Sequence, residues 1–399
     1  MTHTAQRPSG RSFLIDLLKA AGCLLIVLHH LAFYGPMSDV VATAWPGVVG
    51  WLYDHARLAV QVFLVCAGFL TAGGLARHAS LSWAEASRLV WQRYLRLAIP
   101  LLAALSFTVL VSEAVRSGFD HPSLSATPVW SQALAHTVLA QHLLDMEALS
   151  AGIWYVAIDL QLYAMAVFSL VLVRAWPSGW WCSWPHAQGH ALQQLRPRWA
   201  LWMGLCAASL WGWNLQANLD DWGLYFFGAY GLGLLAWAGR AVPSSVAHHA
   251  QWCRWAIATC WLVLGLVAWW LQARWRIALA WGVAGLLMAA PVAWGAIQVA
   301  KDTHVGPPWR TAVQWLSSVS YSVFLIHFGV SLAVNAAVTA HWPQALWANA
   351  LGMGLSLLMS LLCGGLLYKW VERHPPTVRR WLWWVAAFLA SVGVAKAVV

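Results

Sequence analysis

Apolar runs of membrane-spanning length recur from one end of the chain to the other, at about 14–34, 58–76, 97–112, 152–174, 199–216, 222–239, 255–271, 276–299, 311–340, 345–370 and 381–398. At about 1.5 Å of rise per residue, about 20 apolar residues in a helix match the roughly 30 Å hydrocarbon core of a bilayer. No run shows the ten-residue alternation of a transmembrane barrel strand. The pattern predicts an all-α, polytopic integral membrane bundle of about eleven transmembrane helices, a ten-helix core with an additional C-terminal helix at 381–398. One stretch stands apart: 130–149 carries Gln132, His136, Gln141, His142, Asp145 and Glu147 and is too polar to cross lipid alone.

Composition agrees with the pattern. Of 399 residues, 61% are hydrophobic and 9% charged, against about 45–50% and 25% in soluble domains. So few charged side chains cannot cover a water-soluble globule of this size. The 32 Trp often sit at run ends, as Trp45, Trp51, Trp222, Trp342 and Trp347 do, where indole favours the headgroup boundary. A formal charge of +10 does not imply a nucleic-acid partner, because Lys and Arg are dispersed between apolar runs with no dense basic tract. They set orientation instead. With a cytoplasmic N-terminus and 130–149 kept from crossing, only Arg57, Arg116, Arg274, Arg276 and Lys396 of the 23 Lys and Arg fall on the outer side. A span at 130–149 would invert everything after it. We therefore read 113–150 as an outer-face or re-entrant segment, the 175–198 loop as cytoplasmic, and 1–399 as one membrane domain. Arg7 and Arg11 precede an apolar stretch without a small-residue cleavage site, so the first helix is expected to be retained. The seven Cys show no CxxC spacing, and neither a disulfide framework nor a metal site is expected.

Ionisable groups within spans are expensive and mark where chemistry should be sought. Lys19 and His30 are eleven residues apart, which returns to within about 20° of one helix face over a rise of about 16 Å; a snorkelling Lys and an interfacial His are the plainer alternative. His29 points about 100° away from His30. Arg93 and Arg96 share a face at the cytoplasmic end of their span, suited to phosphate by their forked donors or serving simply as positive-inside anchors. Asp159, flanked by Trp154, Tyr155, Gln161 and Tyr163, is a carboxylate in need of a partner. Ser320, Tyr321, Ser322 and His327 form a polar stripe whose structural alternative is hydrogen bonding between helices.

Together these positions resemble acyltransferase family 3, a group of integral membrane enzymes. Ile15 to Ala20, continuing to His29 and His30, looks like the family's first helix; Phe63-Leu64-Val65-Cys66-Ala67-Gly68-Phe69-Leu70 is similar to its second motif, and Arg93-Tyr94-Leu95-Arg96 before Pro100 to its third. Trp154 through Tyr163, Ser320 through His327, and Val371-Glu372-Arg373-His374-Pro375 resemble the remaining three, in the family's order. Two positions depart from the pattern, Lys19 in place of Arg and Asp159 in place of Glu. The first keeps the charge but loses the bidentate fork; the second shortens the reach by one methylene.

The resemblance implies a multi-pass enzyme of the cell inner membrane that passes an acyl group, acetyl by the family's habit, from cytoplasmic acyl-CoA (acetyl-CoA) to a hydroxyl of an exopolysaccharide, lipopolysaccharide or similar glycan outside. Arg93 and Arg96 would hold the CoA phosphates, and the thioester would thread inward until it reached His30, the general base or acyl carrier. Asp159 would orient His30; Lys19, Tyr321 and His327 would contact substrate. Many relatives carry a fused extracytoplasmic esterase-like domain, so this chain is expected to complete transfer alone or with a partner. A transporter or flippase of a lipid-linked glycan is the rival reading, but the paired half-sequences typical of transporters are not visible.

Overall fold

The computed structural model describes residues 12–78, 80–175, 196–241, 247–290 and 307–398. Arg7, Arg11 and Lys301, most of the 175–198 loop and the end of the 276–299 run lie outside the described residues. Those described are helical, with no strand among them. In chain order the helices are α1 (Phe13–Phe33), α2 (Pro36–Ala44), α3 (Pro46–His55), α4 (Ala59–Leu75), α5 (Trp83–Arg116), α6 (Trp130–Thr137), α7 (Ile153–Ala175), α8 (Arg196–Trp211), α9 (Gly223–Ala241), α10 (Ala247–Leu271), α11 (Trp275–Ala289), α12 (Pro308–His341), α13 (Leu346–Leu367) and α14 (Val378–Val398).

Among the described residues, eight segments are long and apolar enough to cross a membrane: Phe13–Phe33, Pro46–Leu75, Trp83–Arg116, Ile153–Arg174, Arg254–Leu271, Pro308–His341, Leu346–Glu372 and Val378–Val398. This makes the chain a multi-pass membrane protein. Eight of the eleven expected crossings are thus matched by spans among the described residues. The other three apolar runs are helices α8, α9 and α11, but α8 has 16 residues, α11 has 15, and the 19 of α9 are diluted by Gly, Tyr and Trp.

Some helices are longer than their apolar runs because polar ends are helical too. Ser82 caps α5, its Oγ accepting from the Glu85 N–H at 3.3 Å while Glu85 Oε2 accepts from the Ser82 N–H at 2.8 Å, a reciprocal cap worth about 1 kcal/mol. It starts the helix fourteen residues before the apolar run, and so puts Arg93 and Arg96 on a rigid rod. Pro100, inside α5, removes one N–H and leaves the Arg96 carbonyl without its helical donor.

The long helix α12 packs against α1, α5 and α13, while α4 packs against α1 and α9. Where α4 meets α9 the two backbones touch: a Cβ on Gly68 would overlap the Tyr230 carbonyl, and one on Gly233 would overlap the Val65 carbonyl. Small residues permit this approach in a membrane, where packing and not hydrophobicity holds helices together. Helix α13 turns Leu351, Leu355, Leu358 and Leu362 outward, and α10 exposes Trp255 and Trp270, a surface suited to lipid tails.

The segment 117–152 is not a span. Its one helix, α6, has eight residues, about 12 Å. The Tyr94 hydroxyl donates to the Thr137 carbonyl, so the segment folds back along α5 from Arg116. His136 closes it, its Nδ1–H donating to the Gln132 carbonyl at 2.7 Å and its Nε2 accepting from the Leu149 N–H at 3.2 Å.

Candidate active site

Helices α1, α4, α5, α7 and α12 surround a cavity of about 440 Å³. One end is basic, with Lys19, Arg77, His78, Arg93 and Arg96 in its wall. His78 lies outside the spans; burial, then the neighbouring Arg77, holds it below its ordinary value. The other end is aromatic and apolar, formed by Ile26, Phe63, Tyr155 and Phe324.

Arg93 does not point freely into the cavity. Its Nη2–H and Nε–H donate to Asp159 Oδ2 at 2.6 and 3.1 Å, and its guanidinium lies 5.5 Å over the Tyr163 ring. Asp159 is 4% exposed and is the buried partner of this pair. Two expectations change together. Asp159 serves Arg93 and not His30, because Arg93 and Asp159 meet at the level where α5 and α7 pack, whereas His30 lies near the start of α7, beside Gly152. Arg93 thus already holds a counter-charge in Asp159. Arg96 borders both this cavity and a second one of about 320 Å³ that also has Arg373 and His374 in its wall.

His30 takes its support from His327, a residue that the family resemblance places at the substrate. His30 Nδ1 and His327 Nε2 are 2.6 Å apart, and His327 Nδ1 is 2.7 Å from the Phe324 carbonyl. A carbonyl only accepts, so His327 Nδ1 carries the hydrogen; in a neutral ring its Nε2 is then a lone pair, and His30 Nδ1–H must donate to it. This hydrogen-bond network assigns the free lone pair to His30 Nε2. His327 is fully buried and His30 half-buried. Gly152, at φ +78°, makes room beside them; a Cβ there would lie 2.7 Å from the Phe324 ring and 3.6 Å from His30 Cε1. His29 faces away and binds the Leu52 carbonyl at 3.1 Å.

The expected open passage from the arginines to His30 is not continuous. The cavity ends at Phe63, Tyr155 and Phe324, whose rings are 6.2 and 5.7 Å apart in succession, and the two His lie one ring further on, Phe324 being 6.1 Å from His327. Tyr321 lines the cavity, but its hydroxyl is spent on the Leu97 carbonyl at 2.8 Å. Glu372, to which the sequence pattern assigns no role, faces the cavity and accepts from Ser322 Oγ at 2.6 Å. A π-helical turn, Tyr368–Glu372, at the end of α13 turns it inward. Its position at the end of an apolar run was the available signal.

A membrane-embedded helical bundle that holds a His pair behind a cavity with one basic mouth defines an enzyme-like chain working across or within the bilayer. The family comparison makes this specific: the model of acyltransferase family 3, described as an acyltransferase domain, matches residues 14–369. The chain belongs to that family and is a membrane acyltransferase. It is also similar to the regulator of hypoxia-inducible factor 1 of Caenorhabditis elegans, at 23% identity over 181 residues, 42% of this chain. The match spans 36% of that protein's length. No solved structure matches.

Proposed function

We propose that this protein is an O-acyltransferase that moves an acyl group, acetyl in the first instance, from cytoplasmic acyl-CoA to a hydroxyl of a glycan or glycolipid on the outer side of the cell inner membrane. The observation that carries this reading is the tautomer chain from the Phe324 carbonyl through His327 to His30, which leaves a base at His30 Nε2. CoA phosphates would enter at the basic mouth, where Arg96 and Arg77 are the ligands favoured now that Arg93 is paired with Asp159. The pantetheine arm would lie along the cavity, and a turn of the Tyr155 and Phe324 rings would admit the thioester to His30.

In the chemical step His30 Nε2 takes the proton of the acceptor hydroxyl as the oxygen attacks the thioester carbonyl. The C–S bond breaks, an ester forms, and the proton passes from the imidazolium to the departing CoA sulfur. His327 holds the imidazolium in place and shares its charge. Entry from the cytoplasm is the direction that the positive-inside bias of the sequence supports for the cationic mouth. Mass spectrometry of surface glycans from cells with the intact chain, without it, and with His30→Ala tests the reading. Glycans heavier by one acyl group are expected only with the intact chain; equal modification by a normally expressed His30→Ala protein would refute it.

A further inference from the structure

Arg274 and Arg276 take no part in the site described above. They stand at the turn between α10 and α11, Arg274 as the N-cap of α11 and Arg276 in its first turn. Both guanidinium groups reach one acceptor, the Asn214 carbonyl, which receives Arg274 Nη1–H at 2.5 Å and Arg276 Nη2–H at 3.2 Å. Arg276 also lies 4.9 Å over the Tyr225 ring. Two cations gathered at a helix N-terminus, where the macrodipole is already positive, repel each other and the helix end. Among the described residues no carboxylate pairs with either. Burial, then Arg276, lowers Arg274 from its ordinary value. Three positions, Arg274 Nε, Arg274 Nη2 and Arg276 Nε, are shut off from solvent with no partner. Asn214, 5% exposed, leaves its Oδ1 without a donor as well. One arginine would suffice to hold the Asn214 carbonyl; the second cation and the idle donors call for an anion.

We propose that Arg274, Arg276 and the N-terminus of α11 form a binding site for a phosphate ester. The forked donors suit phosphoryl oxygens, and both arginines are part-exposed, so a ligand can reach them from outside. The site lies at the end of the bundle that carries His30. His30 sits beside Gly152, and Trp154, two residues on, packs its ring 5.4 Å from Phe226, the neighbour of Tyr225. The phosphate belongs either to a phospholipid headgroup or to a phosphorylated sugar, and the two are separable by experiment. Because the readout is binding and not acyl transfer, failure here leaves the reading of His30 untouched, and the reverse also holds.

The test uses the full chain purified in detergent, with phosphatidylglycerol and diacylglycerol of the same acyl chains compared by native mass spectrometry, and glucose 1-phosphate by calorimetry. The wild type is expected to retain phosphatidylglycerol over diacylglycerol, or to bind glucose 1-phosphate; the first result alone assigns a lipid headgroup, and the second a sugar phosphate. The Arg274→Gln, Arg276→Gln double variant should weaken the bound probe by about tenfold or more, and Arg276→Lys, which keeps the charge, by less. Should the double variant not fold, the wild-type preference and its loss in high salt decide the matter. A wild type with no phosphate preference and no sugar-phosphate binding, or variants that bind as tightly as it does, would overturn the proposal.

Discussion

His30 and His327 illustrate how a side chain's chemistry depends on what its neighbour can accept. The Phe324 carbonyl orients His327, His327 orients His30, and the lone pair that results is aimed away from both. Replacing His327 by Ala leaves the His30 Nδ1–H with nothing fixing its tautomer. Steady-state acyl-CoA consumption should then show kcat lowered by about ten- to a hundredfold, with the KM for donor unchanged. His327→Gln, whose amide oxygen can accept that hydrogen, should recover part of the loss; a raised KM with unchanged kcat would return His327 to substrate binding. Both His were legible in the sequence as polar groups at membrane depth, but their contact was not, because 297 residues separate them. Asp159 and Arg93 were legible in the same way and mispaired for the same reason.

At the scale of helices, backbone contact is the most exacting feature. Gly68→Ala places a methyl against the Tyr230 carbonyl, which no rotamer can relieve, so α4 and α9 must separate. A loss of about 1–3 kcal/mol is expected, seen as a lower thermal midpoint; an unchanged midpoint would mean the helices do not meet there. The segment around α6 depends on a neutral imidazole. Burial pushes His136 down from 6.5 to about 4, and protonation would turn its Nε2 from an acceptor into a donor facing the Leu149 N–H. Stability from this group is whole above pH 6.5 and is lost as pH falls toward 4, by up to about 3 kcal/mol. Hydrogen exchange at Leu149 should accelerate over that window, and a flat profile would contradict it. The polar composition of 130–149 showed that it could not cross alone; that it returns to Tyr94 depended on α5 being helical well before its apolar run began.

For the molecule as a whole, one cavity joins five helices, and most of the charged groups in its wall are cations. Arg96→Ala should weaken acyl-CoA binding severalfold and flatten its salt dependence, since a phosphate contact contributes largely through charge; binding that is unaltered in strength and salt response would move the donor elsewhere. The sequence by itself determined the class of fold, the candidate residues and the basic mouth's ingredients, because membrane burial selects apolar runs and makes each ionisable exception conspicuous. Only the tertiary structure decided that Asp159 answers Arg93, that His327 answers His30, that Glu372 turns into the cavity, and that aromatic rings stand between the cavity and the His pair. These are choices among partners on different helices, and a linear pattern carries each helix's face but not which face it meets.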